Sequence, residues 1–139
     1  MKTIILISCV SKKLDRKAKA KNLYVSTLFR RNLAYAERKF NPDKIFILSA
    51  KYGLLNPERV IEPYDLALNE MHAQELKRWS DNVLADLKKE IDIGKDRVIF
   101  LAGNRYRKYL VPSIKNYEIL LQGLAIGKQL KYLKANVQL

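Results

Sequence analysis

The sequence predicts an α/β fold: three layers, with a four-stranded, mostly parallel sheet and helices on both faces. Three observations carry this. The first three apolar runs, at residues 3–9, 44–49 and 97–102, are continuous rather than alternating, as in strands covered on both faces. Stretches with helical periodicity lie between the runs. Strand and helix therefore alternate along the chain, which implies right-handed crossovers.

The elements follow in order. Thr3-Ile4-Ile5-Leu6-Ile7 opens the first strand. Ser26 is a candidate N-cap for a helix whose apolar stripe is Phe29, Leu33, Ala36 and Phe40. Asn41-Pro42-Asp43 breaks that helix, and the second strand follows. A long helix is expected from near Asn69 to near Gly94, with Leu76, Trp79, Val83, Leu87 and Ile91 inward. The third strand leads through Gly103 into a short helix ending at Pro112. A fourth strand spans 118–121, and a last helix starts near Gly127 with Leu130 and Leu133 inward. No repeat, low-complexity segment or linker interrupts residues 1–139, which read as one α/β domain.

Composition narrows the function. Hydrophobic residues make up 48% and charged residues 29%, as in globular chains. No apolar run approaches the ~18 residues of a membrane span. The apolar start is too short for a signal core and lacks a small-residue cleavage site, so a cytoplasmic location is expected. One cysteine, Cys9, excludes an internal disulfide, and one histidine, His72, leaves no Cys/His zinc set. No clustered carboxylates suggest magnesium. No cofactor and no metal are expected. Lys and Arg number 27 against 14 Asp and Glu, a formal net charge of +13. So large an excess costs self-repulsion and points to a polyanion. Nucleic acid is the expected partner, DNA ahead of tRNA, with no membrane and no obligate protein partner. A lysine-rich proteome is the alternative, but glutamate does not keep pace with lysine.

The four strand exits should share one rim, where open parallel sheets bind ligands. The first offers Ser8, Cys9, Ser11, Lys12 and Lys13. The second offers Ser49, Lys51, Tyr52 and Gly53. The third offers Gly103, Asn104, Arg105 and Tyr106. The fourth offers Gln122, Gly123, Gly127 and Lys128. The run 11–21 holds six basic residues and one acid, a flexible loop suited to tracking phosphates or, alternatively, only a solvated face. Arg105-Tyr106-Arg107-Lys108-Tyr109 interleaves cations with rings, so bases could stack while arginine takes phosphate. The alternative has Tyr106 and Tyr109 packing inward. Gly123 permits close backbone approach to a base or serves a tight turn. Residues 121–128 lack Walker spacing.

Several residues are candidates for chemistry. Lys51 is a phosphate contact, a cation beside a leaving group, an amine nucleophile or plain surface. Asp65, after Pro63-Tyr64, stabilises a cationic sugar, activates water or caps a turn. Glu62 is its runner-up. Cys9 is a thiol nucleophile or a small buried hydrophobe.

At this point the blocks resemble a known group. Ser8-Cys9, Leu23-Tyr24 through Phe29-Arg30, residues 48–55, Glu62-Pro63-Tyr64-Asp65 and residues 122–129 together resemble a bacterial, archaeal and phage family of unknown function. The 49–54 and 63–64 blocks are similar to those of the peroxide-stress (YaaA-like) proteins, which bind DNA, and of a domain of the archaeosine synthases, which modify tRNA. The resemblance implies a uracil-DNA glycosylase-like fold, whose strand ends hold an extruded base. The chain lacks the Gly-Gln-Asp-Pro-Tyr and His-Pro-Ser motifs of true uracil-DNA glycosylases.

The expected function is therefore nucleic-acid binding with a base or nucleotide at the rim, extending to glycosylase-like cleavage of a modified base. Ser8, Asp65 and Lys51 form the candidate catalytic set, with Asp65 opposing the cationic sugar. Tyr52 or Tyr24 would stack on the base. Ser8, Ser49 or Gln122 would read its edge, with Cys9, Gly53, Tyr64 and Gly123 completing the pocket. Lys12, Lys13, Arg30, Arg105 and Lys128 would hold phosphates. Two alternatives stand beside it: a non-catalytic DNA- or RNA-binding stress protein, and an enzyme acting on free nucleosides or nucleotides.

Overall fold

A computed structural model describes residues 1–9 and 12–136. Its central sheet has five strands in the order β4-β3-β1-β6-β7. These are β1 (Thr3–Ser8), β3 (Lys44–Ser49), β4 (Gly53–Leu55), β6 (Arg97–Leu101) and β7 (Tyr117–Ile119). Strands β3, β1, β6 and β7 run parallel, and β4 is antiparallel to β3. The sheet is therefore mixed, and the expected four-stranded sheet is corrected by one edge strand. That strand escaped the sequence reading because Gly53-Leu54-Leu55 is too short to show a period. Two further short strands, β2 (Ala18–Lys19) and β5 (Val60–Ile61), pair antiparallel outside the main sheet.

Strand β1 is the centre. Ile5 sits between Ile45 of β3 and Ile99 of β6 in register. Successive side chains point to opposite faces, which divides the core in two. Ile5, Ile7, Ile47, Ile99 and Leu101 pack with α2 (Thr27–Phe40) and α5 (Ile126–Asn136). Ile4, Leu6, Phe46, Leu48, Val98 and Phe100 pack with α3 (Ala73–Glu90). Helices thus cover both faces, with α1 (Ala20–Leu23) and α4 (Asn104–Arg107) as single turns at the rim.

The predicted caps and stripes are largely present. The Ser26 hydroxyl accepts the Phe29 N–H at 3.1 Å. Along α2 the buried residues are Phe29, Asn32, Tyr35 and Ala36, so the inward stripe is rotated from the expected one, and Leu33 and Phe40 lie at its margin. All five predicted inward residues of the long helix are buried. That helix starts at Ala73 rather than Asn69, because a separate 3-10 turn occupies Leu68–Glu70. Leu133 is fully buried, whereas Leu130 is partly exposed. Strand β7 stops at Ile119, and Leu121 adopts a left-handed φ of 59° that turns the chain out of the sheet.

Candidate functional site

Connections out of the sheet diverge at one point. From β1 the chain turns to α2 on one face and on to β3. From β6 it turns to α4, which leads into Leu110 and Ile114 of the opposite core. A crevice opens between neighbouring strands whose connections leave on opposite faces. A cavity of about 620 Å³ occupies that place. Its walls come from the ends of three parallel strands: Ser8 and Cys9 after β1, Leu101 to Asn104 after β6, and Ile119 to Gly123 after β7. Residues 64–69 close one side, and Leu28 and Asn32 of α2 close another. The volume falls within the ~300–1,000 Å³ typical of small-ligand sites.

The floor is built from phenols. Tyr64 Oη lies 2.7 Å from Tyr24 Oη, 2.8 Å from Ser49 Oγ and 3.7 Å from Cys9 Sγ. Tyr106 Oη donates to the Cys9 carbonyl at 3.0 Å and lies 3.8 Å from its sulfur. Trp79 packs edge-on to Tyr106, with centroids 6.0 Å apart, and donates its indole N–H to the Ser49 carbonyl at 2.9 Å. Burial, reinforced by the neighbouring Cys9, pushes Tyr24 up to about 12 and holds Tyr64 and Tyr106 above the ordinary phenol range. These hydroxyls remain protonated donors at neutral pH. The Lys13 ammonium sits 4.4 Å from the Tyr64 ring centroid, a cation over a π face at the cavity wall.

The sequence-expected residues divide into three groups. Ser8, Cys9, Lys13, Tyr64, Asp65, Arg105, Gln122 and Gly123 line the cavity together. Ser49 and Tyr24 do not: both are fully buried, so neither offers an edge or a face to a base. Ser49 is a knot instead, because its hydroxyl also accepts the Tyr52 N–H at 3.1 Å. Lys51 and Tyr52 lie outside the cavity wall. Ala50, Lys51 and Tyr52 form the turn of the β3–β4 hairpin, and Gly53 closes it with a φ of 68°. Tyr52 packs edge-on to Tyr64 at 5.7 Å and carries Lys51 and Arg59 near its ring. The hairpin thus supports the wall from behind.

The expected phosphate contacts also separate. Arg105 directs its guanidinium to the main-chain carbonyls of Leu68 and Met71, which straps the 3-10 turn to α4. Its first role is therefore anchorage. Lys12, Arg30 and Lys128 are exposed and lie outside the cavity. The basic loop is tied rather than free: Lys13 bridges to Tyr24, Leu14 N–H donates to the Leu23 carbonyl, and Val25 N–H donates to that of Lys12. Ser11 lies outside the described residues. Among the described residues no three His, Cys, Asp or Glu side chains gather as a metal site, and no helix is long and apolar enough to cross a membrane.

Arg107 of the basic-aromatic run also lines the cavity, and Asn32 is a polar lining residue that was not anticipated. Asn32 was legible in part, as a polar residue three positions after Phe29 on the otherwise apolar inward side of the helix.

The profile described as "Family of unknown function (DUF6884)" matches residues 4–135. The chain belongs to this family. The matched span runs from β1 into α5, so it includes every strand of the sheet and the whole cavity wall. The chain is 30% identical over 99 residues to a UPF0246 protein of Saccharophagus degradans, covering 67% of this chain and 39% of that protein. It is also 30% identical over 95 residues to a UPF0246 protein of Teredinibacter turnerae, covering 64% and 37%. The chain therefore spans about two-fifths of the length of these relatives.

Proposed function

We propose that this DUF6884 chain is a nucleic-acid-binding domain that accommodates a base or nucleotide in the cavity at the strand C-terminal rim. One observation carries the reading: a cavity of nucleotide size lies at the switch point of the sheet in a chain with a formal charge of +13. A flat, mostly apolar base suits walls of Leu28, Tyr106 and Leu121, and phosphates suit the surrounding lysines. The resemblance of the 49–54 and 63–64 blocks to YaaA-like proteins supports a DNA partner. The parallel order β3-β1-β6-β7 supports a uracil-DNA glycosylase-like arrangement.

Asp65 supports an enzymatic extension. Its carboxylate is exposed at the cavity wall, next to Tyr64 in the floor. There it would oppose the cationic sugar that develops as an N-glycosidic bond breaks, with Ser8 on the β1 side of the same cavity. Lys51, at the hairpin turn, stands behind that wall and suits a phosphate contact better than a role at the reacting bond.

The test is direct. Labelled single-stranded DNA, duplex DNA and tRNA are titrated with the protein at several salt concentrations, and released base is assayed on substrates carrying modified bases. Binding that weakens steeply with salt is expected. Absence of affinity for all three at low salt would sink the nucleic-acid reading, and protection by free nucleotides alone would favour the small-molecule alternative. Base release that survives Asp65→Ala would remove Asp65 from the chemistry.

A further inference from the structure

Among the described residues, three that line the cavity keep a buried side-chain atom without a hydrogen-bond partner: Arg105 and Arg107, each at Nε, and Asn32, the uncharged one of the three. Asn32 is 5% exposed and lines the cavity, one helical turn from Leu28 on α2. Its Oδ1 is buried and has no hydrogen-bond partner among the described residues. An unpaired buried amide carries a desolvation cost that an apolar residue of the same shape would avoid. Leucine would fit the helix better by propensity and would extend the apolar stripe around it. A ligand toward which the side chain turns its oxygen would complete the amide's hydrogen bonds and account for its place.

We propose that Asn32 reads the edge of a nucleobase held in the cavity, an inference that rests on the base-binding reading above. A carboxamide presents an acceptor beside a donor. It therefore complements an edge with adjacent donor and acceptor, as adenine offers at N6 and N7, and mismatches the two-acceptor edge of guanine at O6 and N7. Tyr106 and Leu121 supply cavity wall for the ring. Base discrimination then comes from the buried side of α2, while Arg30 lies on its exposed side.

The test uses the four nucleoside 5′-monophosphates and a duplex DNA as separate probes. With the wild-type protein, the Asn32 side-chain amide resonances should shift on titration with the preferred nucleotide. Asn32→Leu should weaken that nucleotide by roughly 10- to 100-fold and level the base ranking, leave duplex affinity within about twofold because phosphate contacts carry it, and fold at least as stably. Asn32→Asp, which offers two acceptors, should move the ranking toward guanine, whose N1–H and N2–H are both donors. A wild-type ranking retained in both variants, with unshifted amide resonances, would overturn the role of Asn32 and leave the cavity reading standing. No nucleotide bound by the wild-type protein would overturn both.

Discussion

The hydroxyl of Tyr64 lies 2.7 Å from that of Tyr24, across a separation of 40 residues. This contact joins the Glu62-Pro63-Tyr64-Asp65 block to the segment that follows the basic loop. With Ser49 at 2.8 Å, the Tyr64 hydroxyl links three parts of the chain beneath the cavity. Asp65 and Lys13 reach the cavity because Tyr64 is held there.

Tyr64→Phe removes that junction and takes a partner from the buried Tyr24 and Ser49 hydroxyls. A loss of about 1–3 kcal/mol is expected, read as a lower urea midpoint with unchanged slope. An unchanged midpoint would show that the phenol network contributes packing alone.

The same phenols make the fold sensitive to alkali. Burial raises Tyr24 to about 12 in the folded chain and keeps Tyr64 and Tyr106 protonated as well, whereas in the unfolded chain they ionise near pH ~10. The unfolded state therefore releases protons first, and stability falls as pH rises. Stability should be full below about pH 10 and be lost progressively toward pH 12. Melting temperatures across that window, with tyrosinate absorbance followed in parallel, check it. Tyrosinate absorbance that completes near pH ~10 without unfolding would refute it.

Gly53 holds the hairpin behind the site at a φ of 68°. A Cβ there would meet Val83 Cγ2 at 3.5 Å, ordinary contact, so the strain is in the backbone rather than in space. Gly53→Ala should cost about 1–2 kcal/mol, and Gly53→Asn less, since asparagine tolerates this region. Equal losses for both in thermal unfolding would point to sterics instead.

Arg105 and Lys128 should separate by readout. Arg105→Ala breaks the strap to the Leu68 and Met71 carbonyls and should lower stability by about 1.5–3 kcal/mol. Its effect on the salt dependence of DNA binding should be small. Lys128→Ala should leave the melting temperature unchanged and reduce the slope of log affinity against log salt by about 1. A reversed pattern would return Arg105 to the phosphate contacts.

Residues 8–9 and 122–123 were legible as neighbours because parallel strand exits must share one rim, and Tyr64 and Asp65 join them at the same cavity. Ser49 and Tyr24 were not legible as scaffold, because a serine or tyrosine looks the same in sequence whether its hydroxyl meets a ligand or a neighbour. The hairpin at 50–52 was misread for a related reason: β4 shows no period of its own, and only pairing with β3 reveals it.

By itself the sequence determined the parallel strands, the helices between them, the rim and the basic surplus. Those follow from local hydrophobic runs, caps and charge, which act along the chain. Only the tertiary structure decided that β4 turns back on β3, that Arg105 straps rather than waits, that Tyr64 binds Tyr24, and that Asn32 faces a cavity unsatisfied. Each of these depends on which distant groups complete a hydrogen bond, and that is set by packing rather than by residue type.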